Sequence, residues 1–320
     1  MDMVERLQGF VAENLSLLAP LDHAWQPTDF LPDLTGEDWA LQLARFREPA
    51  RQLSDDLLVV LVGNMVTEEA LPNYSVSLEH IVKDSRGAID TPWANWLRGW
   101  TAEENRHGDL LNAYLRLTGR VDMLAVEKTI HHLIRDGFDS GHQDNYGGLI
   151  YTSFQERATR VSHGNVGRLA AQQGDDNLAR ICRKIAADET RHETFYTRVV
   201  GRIMEQDPEG GVLAYRGMLK RLIAMPGALM FDGKDRDLFN HFAAVTQRSG
   251  VYTAQDYGEI IGHLNHAWDL AHRSLSGKAA KAQDYICRQP ERYERLAGEL
   301  TDRVAGQPPA PFSWVYGRCV

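Results

Sequence analysis

The chain has 320 residues, and its 43% hydrophobic content is enough to bury the core of one large domain or two smaller ones. Its net charge of -9 predicts no general attraction to nucleic acid. Three cysteines without a CxxC pair argue against a disulfide framework and favour a reducing compartment. No apolar run reaches the ~18 residues that a membrane span requires, and the acidic N-terminus lacks the features of a signal or transit sequence. We therefore expect a cytoplasmic protein with no membrane span and no nucleic-acid partner.

Helical periodicity dominates the sequence. It predicts four long helices, which in chain order cover 54–82, 93–117, 146–173 and 175–205. Pro72 lies inside the first of them and should kink or interrupt it. Shorter helices are predicted before and after these four, and no run of residues alternates as a strand would. The sequence therefore predicts an all-α fold.

The C-terminal third of the chain predicts further helices and then an extended, proline-rich tail, GQPPAPFSW. Three aromatic residues of this tail are predicted to anchor it to the helical body: Phe312, Trp314 and Tyr316. We expect a single domain over 1–320, with a four-helix core at about 54–205 and C-terminal helices and tail at 211–320.

Two E-x-x-H motifs lie within the predicted long helices, at Glu104–His107 and at Glu189–His192. One such motif alone is weak evidence, because charged residues at this spacing normally form a solvated helix face. Residues three apart on a helix do project from the same face, so a glutamate oxygen and a histidine nitrogen can bind one metal ion. Both motifs are flanked by apolar residues on that face, where an unpaired inward carboxylate would be costly.

The other two long helices each supply a glutamate near their middle. Glu68 or Glu69 lies in the first helix and Glu156 in the third. One Glu from each of two helices, with Glu-x-x-His from each of two others, is the ligand set of a di-iron four-helix bundle. Four carboxylates with two imidazoles favour iron or manganese over zinc or magnesium. The pattern predicts a ferritin-like four-helix bundle with a di-iron centre, extended by additional helices.

Long stretches of the chain resemble the soluble acyl-acyl carrier protein desaturases, the plant plastid stearoyl type and its bacterial relatives. The resemblance runs from about residue 25 to residue 314, so it covers nearly the whole chain. The matching stretches are WQPTDFLPD, VVLVGNMVTEEALPNY, WTAEENRHGDLLNAYLRLTGRVDM, IYTSFQERATRVSHGN, IAADETRHE, QRSGVYTAQDY and PFSW.

The resemblance implies the roles of individual residues. It selects Glu68 over Glu69 and implies six iron ligands: Glu68, Glu104, His107, Glu156, Glu189 and His192. It also implies roles close to the irons, or on the route of electrons and protons, for four further residues: Trp25, Trp100, Thr159 and Asp188. A carboxylate that orients a metal-bound histidine is physically expected in such a position.

The resemblance also implies the reaction and its partners. With dioxygen and two electrons from ferredoxin, two hydrogens would be removed from adjacent carbons of a carrier-bound acyl chain, leaving a cis double bond. The enzyme would be a homodimer, and the lack of a plastid transit sequence favours a bacterial enzyme.

An acyl substrate requires a long apolar channel that holds one pair of methylenes beside the irons. Seven residues close to the ligands in sequence are candidates to line it, although core packing is an alternative for each: Met65, Ser77, Ile81, Gly148, Leu149, Thr152 and Phe154. His80 would be an unusual lining residue, so the substrate's chain length stays open.

Three other functions remain compatible with the ligand pattern. A related oxidase could hydroxylate or desaturate a carrier-bound intermediate of a specialised pathway with the same six ligands. A ferritin-like protein could store iron or remove oxidants, although it would not need the long C-terminal extension. A non-enzymatic carrier-binding protein is disfavoured by the intact ligand set.

Overall fold

The computed structural model describes residues 3–82, 89–142 and 144–320, and for residues 77 and 79–82 it describes the backbone alone. The side chains of Ser77 and Ile81, two of the predicted channel residues, and of His80 therefore lie outside the described part. Most of the described residues lie in α-helices, and the other regular elements are a few 3-10 turns and one short two-stranded ribbon. This confirms the predicted all-α fold.

Helices account for all but a few of the regular elements that the structure describes. The first seven are α1 (Met3–Arg6), α2 (Gln8–Asn14), α3 (Trp39–Ala50), α4 (Asp55–Glu68), α5 (Leu71–Val82), α6 (Pro92–Thr118) and α7 (Met123–Asp136). The second seven are α8 (Asn145–Gln172), α9 (Asp176–Gln206), α10 (Pro208–Arg221), α11 (Leu238–Ser249), α12 (Ala254–Ala267), α13 (Gly277–Cys287) and α14 (Gln289–Ala305). Strands β1 (Pro311–Phe312) and β2 (Arg318–Cys319) pair antiparallel near the C-terminus. Within the described residues, no helix is both long enough and apolar enough to cross a membrane.

The first long helix is interrupted close to the predicted position. Helix α4 ends at Glu68 and α5 begins at Leu71, which places Pro72 in the first turn of α5. A proline is tolerated there because the first backbone N–H groups of a helix have no partner within the helix. The interruption follows directly after Glu68, so this carboxylate lies at the C-terminal end of α4.

Helices α4, α6, α8 and α9 form the core of the bundle. Helices α8 and α9 make the most extensive contact, α4 packs against α6 and α8, and α6 packs against α9. A glycine allows part of the α8–α9 contact: a Cβ atom at Gly167 would lie only 3.1 Å from the Cβ of Cys182. The other helices surround this core, as the predicted extended bundle requires. The treatment of 1–320 as one domain stays a prediction.

The C-terminal tail is fastened to the bundle by buried aromatic residues. Phe312 and Trp314 are fully buried, and Trp314 Nε1 donates a hydrogen bond of 2.9 Å to Thr129 Oγ1 on α7. Tyr316 differs from the prediction, because the residue is 59% exposed, although its hydroxyl donates a hydrogen bond of 3.0 Å to Val121 O. Arg318 completes the attachment with two bonds, of 2.6 and 2.8 Å, to the Asp55 carboxylate.

Removing the buried indole should cost far more stability than removing the surface ion pair. Trp314→Ala is expected to lower the free energy of unfolding by about 3–5 kcal/mol, because it leaves a large cavity and removes the hydrogen bond to Thr129 Oγ1. Arg318→Ala should cost less than about 1 kcal/mol, because both side chains of the pair keep part of their surface in water. Urea unfolding followed by circular dichroism compares the two variants, and equal losses would contradict this account of the tail.

Candidate metal centre

The core helices bring the six candidate ligands together in the interior of the bundle. Glu68 comes from α4, Glu104 and His107 from α6, Glu156 from α8, and Glu189 and His192 from α9. All six side chains are buried, the most exposed at 3%. They form two groups, each with ligand atoms within 4.8 Å of one another: Glu68, Glu104, His107 and Glu189 in the first, and Glu104, Glu156, Glu189 and His192 in the second.

The two groups share Glu104 and Glu189 and differ in their end residues. Glu68 and His107 belong to the first group alone, and Glu156 and His192 to the second alone. Two shared carboxylates between two end carboxylates form a site for two neighbouring cations with bridging ligands. Glu69, the alternative to Glu68, lies outside both groups, partly exposed, and accepts a hydrogen bond of 2.9 Å from Asn112 Nδ2.

Several ligand atoms in this cluster have no hydrogen-bond partner although they are buried. These atoms are Glu104 Oε1, Glu189 Oε1, His107 Nδ1 and His192 Nδ1. The histidine nitrogens approach the shared carboxylates at 2.7 Å for His192 Nδ1 and Glu104 Oε1, and at 3.2 Å for His107 Nδ1 and Glu189 Oε1. Buried polar atoms without partners are costly, so their convergence fits a site for metal ions. Carboxylate oxygens with imidazole nitrogens are the donor set of iron and manganese.

The charges of the cluster also favour the binding of metal ions. Burial, together with the charge of Glu104, raises the pKa of Glu156 well above its ordinary value. Burial alone would lower the pKa of His107 and His192, but the surrounding carboxylates raise both well above the ordinary value. The cluster therefore attracts positive charge, which a metal ion at each position would supply in place of protons.

Asp188 lies just outside the cluster and contacts four side chains, one of them Arg106, whose Nη2 lies 3.7 Å from Oδ2. Its Oδ2 lies 3.5 Å from His107 Nε2 and accepts a hydrogen bond of 2.8 Å from Trp25 Nε1. Its Oδ1 accepts one of 3.0 Å from Arg191. Burial would raise the pKa of Asp188, but the hydrogen bond to His107 and the nearby positive charges lower it to about 2. Asp188 is thus placed to orient His107, with Nδ1 toward the cluster.

Glu103 is the counterpart of Asp188 on the other helix. It lies 3.0 Å from His192 Nε2 and accepts a hydrogen bond of 2.6 Å from Arg191, so Arg191 bridges the two acids. Sequence reasoning did not assign a role to Glu103, although a signal was present. In both motifs an acid precedes the glutamate and an arginine precedes the histidine.

Each end carboxylate also contacts a polar ring nitrogen of a neighbouring side chain. Trp100 Nε1 donates a hydrogen bond of 3.0 Å to Glu156 Oε1. His163 Nε2 lies 2.7 Å from Glu68 Oε1. Trp100 was among the residues that the resemblance implied, whereas His163 was missed. Its position seven residues after Glu156, about two turns along α8, was the available signal.

An apolar cavity of about 320 Å³ reaches the cluster at Glu68. Its wall is mainly apolar and includes Thr159, His163, Met225, Phe242, Ala243 and Tyr257. Thr159 Oγ1 donates to the backbone oxygens of Gln155 and Glu156, at 3.2 and 3.0 Å. Sequence reasoning missed most of this wall, because helices α11 and α12 and the segment 222–227 are distant from the ligands in sequence.

The predicted channel residues with described side chains are buried but do not line this cavity: Met65, Gly148, Leu149, Thr152 and Phe154. Phe154 packs against Tyr257, with ring centroids 4.7 Å apart, and Tyr257 does line it. A channel lined by these five residues stays a prediction.

Comparison with known proteins gives one consistent result. A family model described as fatty acid desaturase matches residues 1–316. A chloroplastic acyl-acyl carrier protein desaturase of Cucumis sativus is 51% identical over 325 residues, covering 100% of this chain and 82% of the cucumber protein. A chloroplastic stearoyl-acyl carrier protein 9-desaturase of Spinacia oleracea is also 51% identical, over 324 residues, covering 100% of this chain and 81% of the spinach protein.

A solved structure has the same fold. DesA2 from Mycobacterium tuberculosis H37Rv superposes with a TM-score of 0.60 at 22% identity, covering 88% of this chain and 98% of that one. The whole-chain identity to the plant enzymes and the family match agree with the resemblance of the sequence motifs. The chain therefore belongs to the fatty acid desaturase family, among the acyl-acyl carrier protein desaturases that these plant enzymes represent.

Proposed function

We propose that this protein desaturates acyl chains carried as thioesters on acyl carrier protein, using two iron ions held by the six clustered residues. The observation that carries the proposal is the meeting of the buried carboxylate–histidine cluster with the apolar cavity at Glu68. The plant relatives that share half of the sequence are named for this substrate class. Iron is proposed because the donor set suits it.

The division of labour between metal and protein follows from the chemistry. When bound, the iron pair supplies the oxidising power, with dioxygen and two electrons, that no side chain has toward an unactivated C–H bond. Glu104 and Glu189 would bridge the two ions, and Glu68 with His107 and Glu156 with His192 would complete the two positions. Asp188 and Glu103 would hold the histidines in the tautomer that leaves Nδ1 for the metal.

The cavity is proposed to receive the acyl chain. Apolar walls match an alkyl chain and exclude water, and a chain held there lies against the same Glu68 that borders the metal positions. Thr159 lines the cavity and sits three residues after Glu156, which would place its hydroxyl between substrate and centre.

Ferredoxin is proposed as the electron donor, reached through the residues beyond His107. Trp25 is hydrogen-bonded to Asp188, and Arg106 lies over the Trp25 ring at 4.8 Å.

A homodimer is proposed as well, because an open groove bordered by Leu18, Leu21 and Leu97 exposes apolar surface, including 92% of Leu21. The three free cysteines support a reducing compartment such as the cytoplasm.

Product analysis tests this function. Purified protein loaded with iron is incubated with stearoyl- or palmitoyl-acyl carrier protein, ferredoxin, a ferredoxin reductase and oxygen, and the acyl chains are examined by mass spectrometry. The expected product is two mass units lighter than the substrate and carries one double bond, whose position fragmentation then locates. A product heavier by one oxygen would indicate a hydroxylase, and no product from either substrate would contradict the proposed activity.

A further inference from the structure

Helix α8 carries a second polar side chain that faces the interior beside the cluster. His163 is 1% exposed, and its Nε2 lies 2.7 Å from Glu68 Oε1 on α4. A carboxylate that binds a metal ion can only accept, so His163 would serve Glu68 as a donor through an Nε2–H group. The bond joins two helices at the point where α4 ends.

The two Glu68 oxygens have different partners. Oε1 is taken by His163, while Oε2 faces His107 Nδ1 across 3.9 Å, on the side of the first group of ligands. A carboxylate at the end of a helix has rotational freedom that such a bond removes. Hydrogen bonds of this kind orient ligating carboxylates in metal sites.

The other end carboxylate has the same arrangement with a different donor. Glu156 Oε1 accepts from Trp100 Nε1 at 3.0 Å, and Glu156 Oε2 faces His192 Nδ1 across 3.4 Å. Each end glutamate therefore has one oxygen tied to a donor and the other turned toward the histidine of its own group. The shared carboxylates, Glu104 and Glu189, belong to both groups.

The alternative to a role at the centre is that His163 only packs the bundle. Two observations oppose it. The Nδ1 atom of His163 is buried without a hydrogen-bond partner, which an apolar side chain at this position would avoid. The residue also lies in the wall of the apolar cavity, directly beside Glu68.

We propose that His163 is a positioning residue that holds Glu68 in place for the first metal position and has no corresponding effect on the second. The inference rests on the two-metal centre of the proposed function, but not on the identity of the substrate. Trp100 is its matched counterpart for the second position.

Cobalt(II) binding tests the inference without turnover. Metal-free protein is titrated with Co²⁺ under anaerobic conditions, and both the heat and the visible absorption of the bound ion are recorded. Wild type should bind about two ions per chain. His163→Leu should bind one of them about 10- to 100-fold more weakly and the other with unchanged affinity. His163→Gln, whose amide nitrogen can donate to the same oxygen, should recover most of the loss.

Background variants identify the position that is affected. Glu68→Ala leaves His163 without its partner, so adding His163→Leu should weaken Co²⁺ binding no further. Glu156→Ala leaves the first position as the stronger one, so adding His163→Leu there should weaken the remaining ion by the full 10- to 100-fold. Trp100→Phe should weaken the remaining ion in the Glu68→Ala background and should have no further effect in the Glu156→Ala background. Circular dichroism and the melting temperature of each metal-free variant check that the bundle is folded.

Three outcomes would overturn the inference. Two ions bound by His163→Leu with wild-type affinity would show that Glu68 needs no positioning by this residue. If His163→Leu weakened Co²⁺ binding as much in the Glu68→Ala background as in the wild type, His163 would act through a residue other than Glu68. Fewer than two ions bound by wild type would remove the metal centre itself, whereas failure of desaturation with the expected Co²⁺ results would remove only the proposed activity.

Discussion

Replacement of Glu104 by alanine is expected to abolish turnover and to prevent stable binding of both metal ions. The Glu104 carboxylate faces both histidines, with Oε1 2.7 Å from His192 Nδ1 and Oε2 3.8 Å from His107 Nδ1. One substitution therefore removes a ligand from both positions. We expect kcat/KM for the carrier-bound substrate to fall on the order of 1,000-fold or more. The number of iron ions bound per chain, measured by inductively coupled plasma mass spectrometry, should fall in parallel.

Asp109 offers a matched control on the same helix. It lies five residues after Glu104, is exposed, and belongs to neither group of ligands. Asp109→Ala should keep both the iron content and the turnover of wild type. A Glu104→Ala protein that still held two irons, or turned over at the wild-type rate, would contradict the assignment of Glu104 as a shared ligand.

Enlarging Ala243 should block the substrate and leave the metal in place. Ala243 lies on α11 and lines the apolar cavity, where a phenylalanine side chain would occupy space proposed for the acyl chain. We expect Ala243→Phe to lower kcat/KM about 10- to 100-fold, which corresponds to about 1.4–2.7 kcal/mol. Iron content should be unchanged, because none of the six candidate ligands lies on α11.

The next residue provides the control for this variant. Ala244 has an intermediate exposure similar to that of Ala243 and is not part of the cavity wall. Ala244→Phe should therefore retain a kcat/KM close to wild type, provided that its melting temperature shows an intact fold. Equal losses in the two variants would indicate a general effect on α11, and an unchanged Ala243→Phe enzyme would place the acyl chain elsewhere.

The long helices were predictable because each carries a strong local signal. Predicted and observed ends of α6, α8 and α9 differ by one residue. The start of each helix has a capping side chain: Thr91, Asp144 and Asp175. The interruption of the first helix was predictable from Pro72, but the break itself lies just before the proline. Glu68 lies at this break and is nevertheless buried in the interior of the bundle.

The parts of the site that escaped prediction are those that depend on contacts between distant segments. The wall of the apolar cavity combines α4 and α8 with α11, α12 and α14, and no local pattern reveals which faces of these helices meet. His163 resembles any polar residue of an amphipathic helix until α4 is placed beside it. Tyr316 was predicted to anchor the tail, but an aromatic residue in such a tail can still lie at the surface, as this one does.

Mössbauer spectroscopy of protein loaded with iron-57 tests the central claim, that the six clustered residues hold a pair of iron ions. In the oxidised protein the account predicts about two irons per chain, with the spectrum of ferric ions coupled through bridging ligands and no net magnetism at low temperature. The Glu104→Ala variant should lack this signal. A spectrum of isolated ferric ions, or protein that takes up no iron, would contradict the shared roles of Glu104 and Glu189 and, with them, the proposed function.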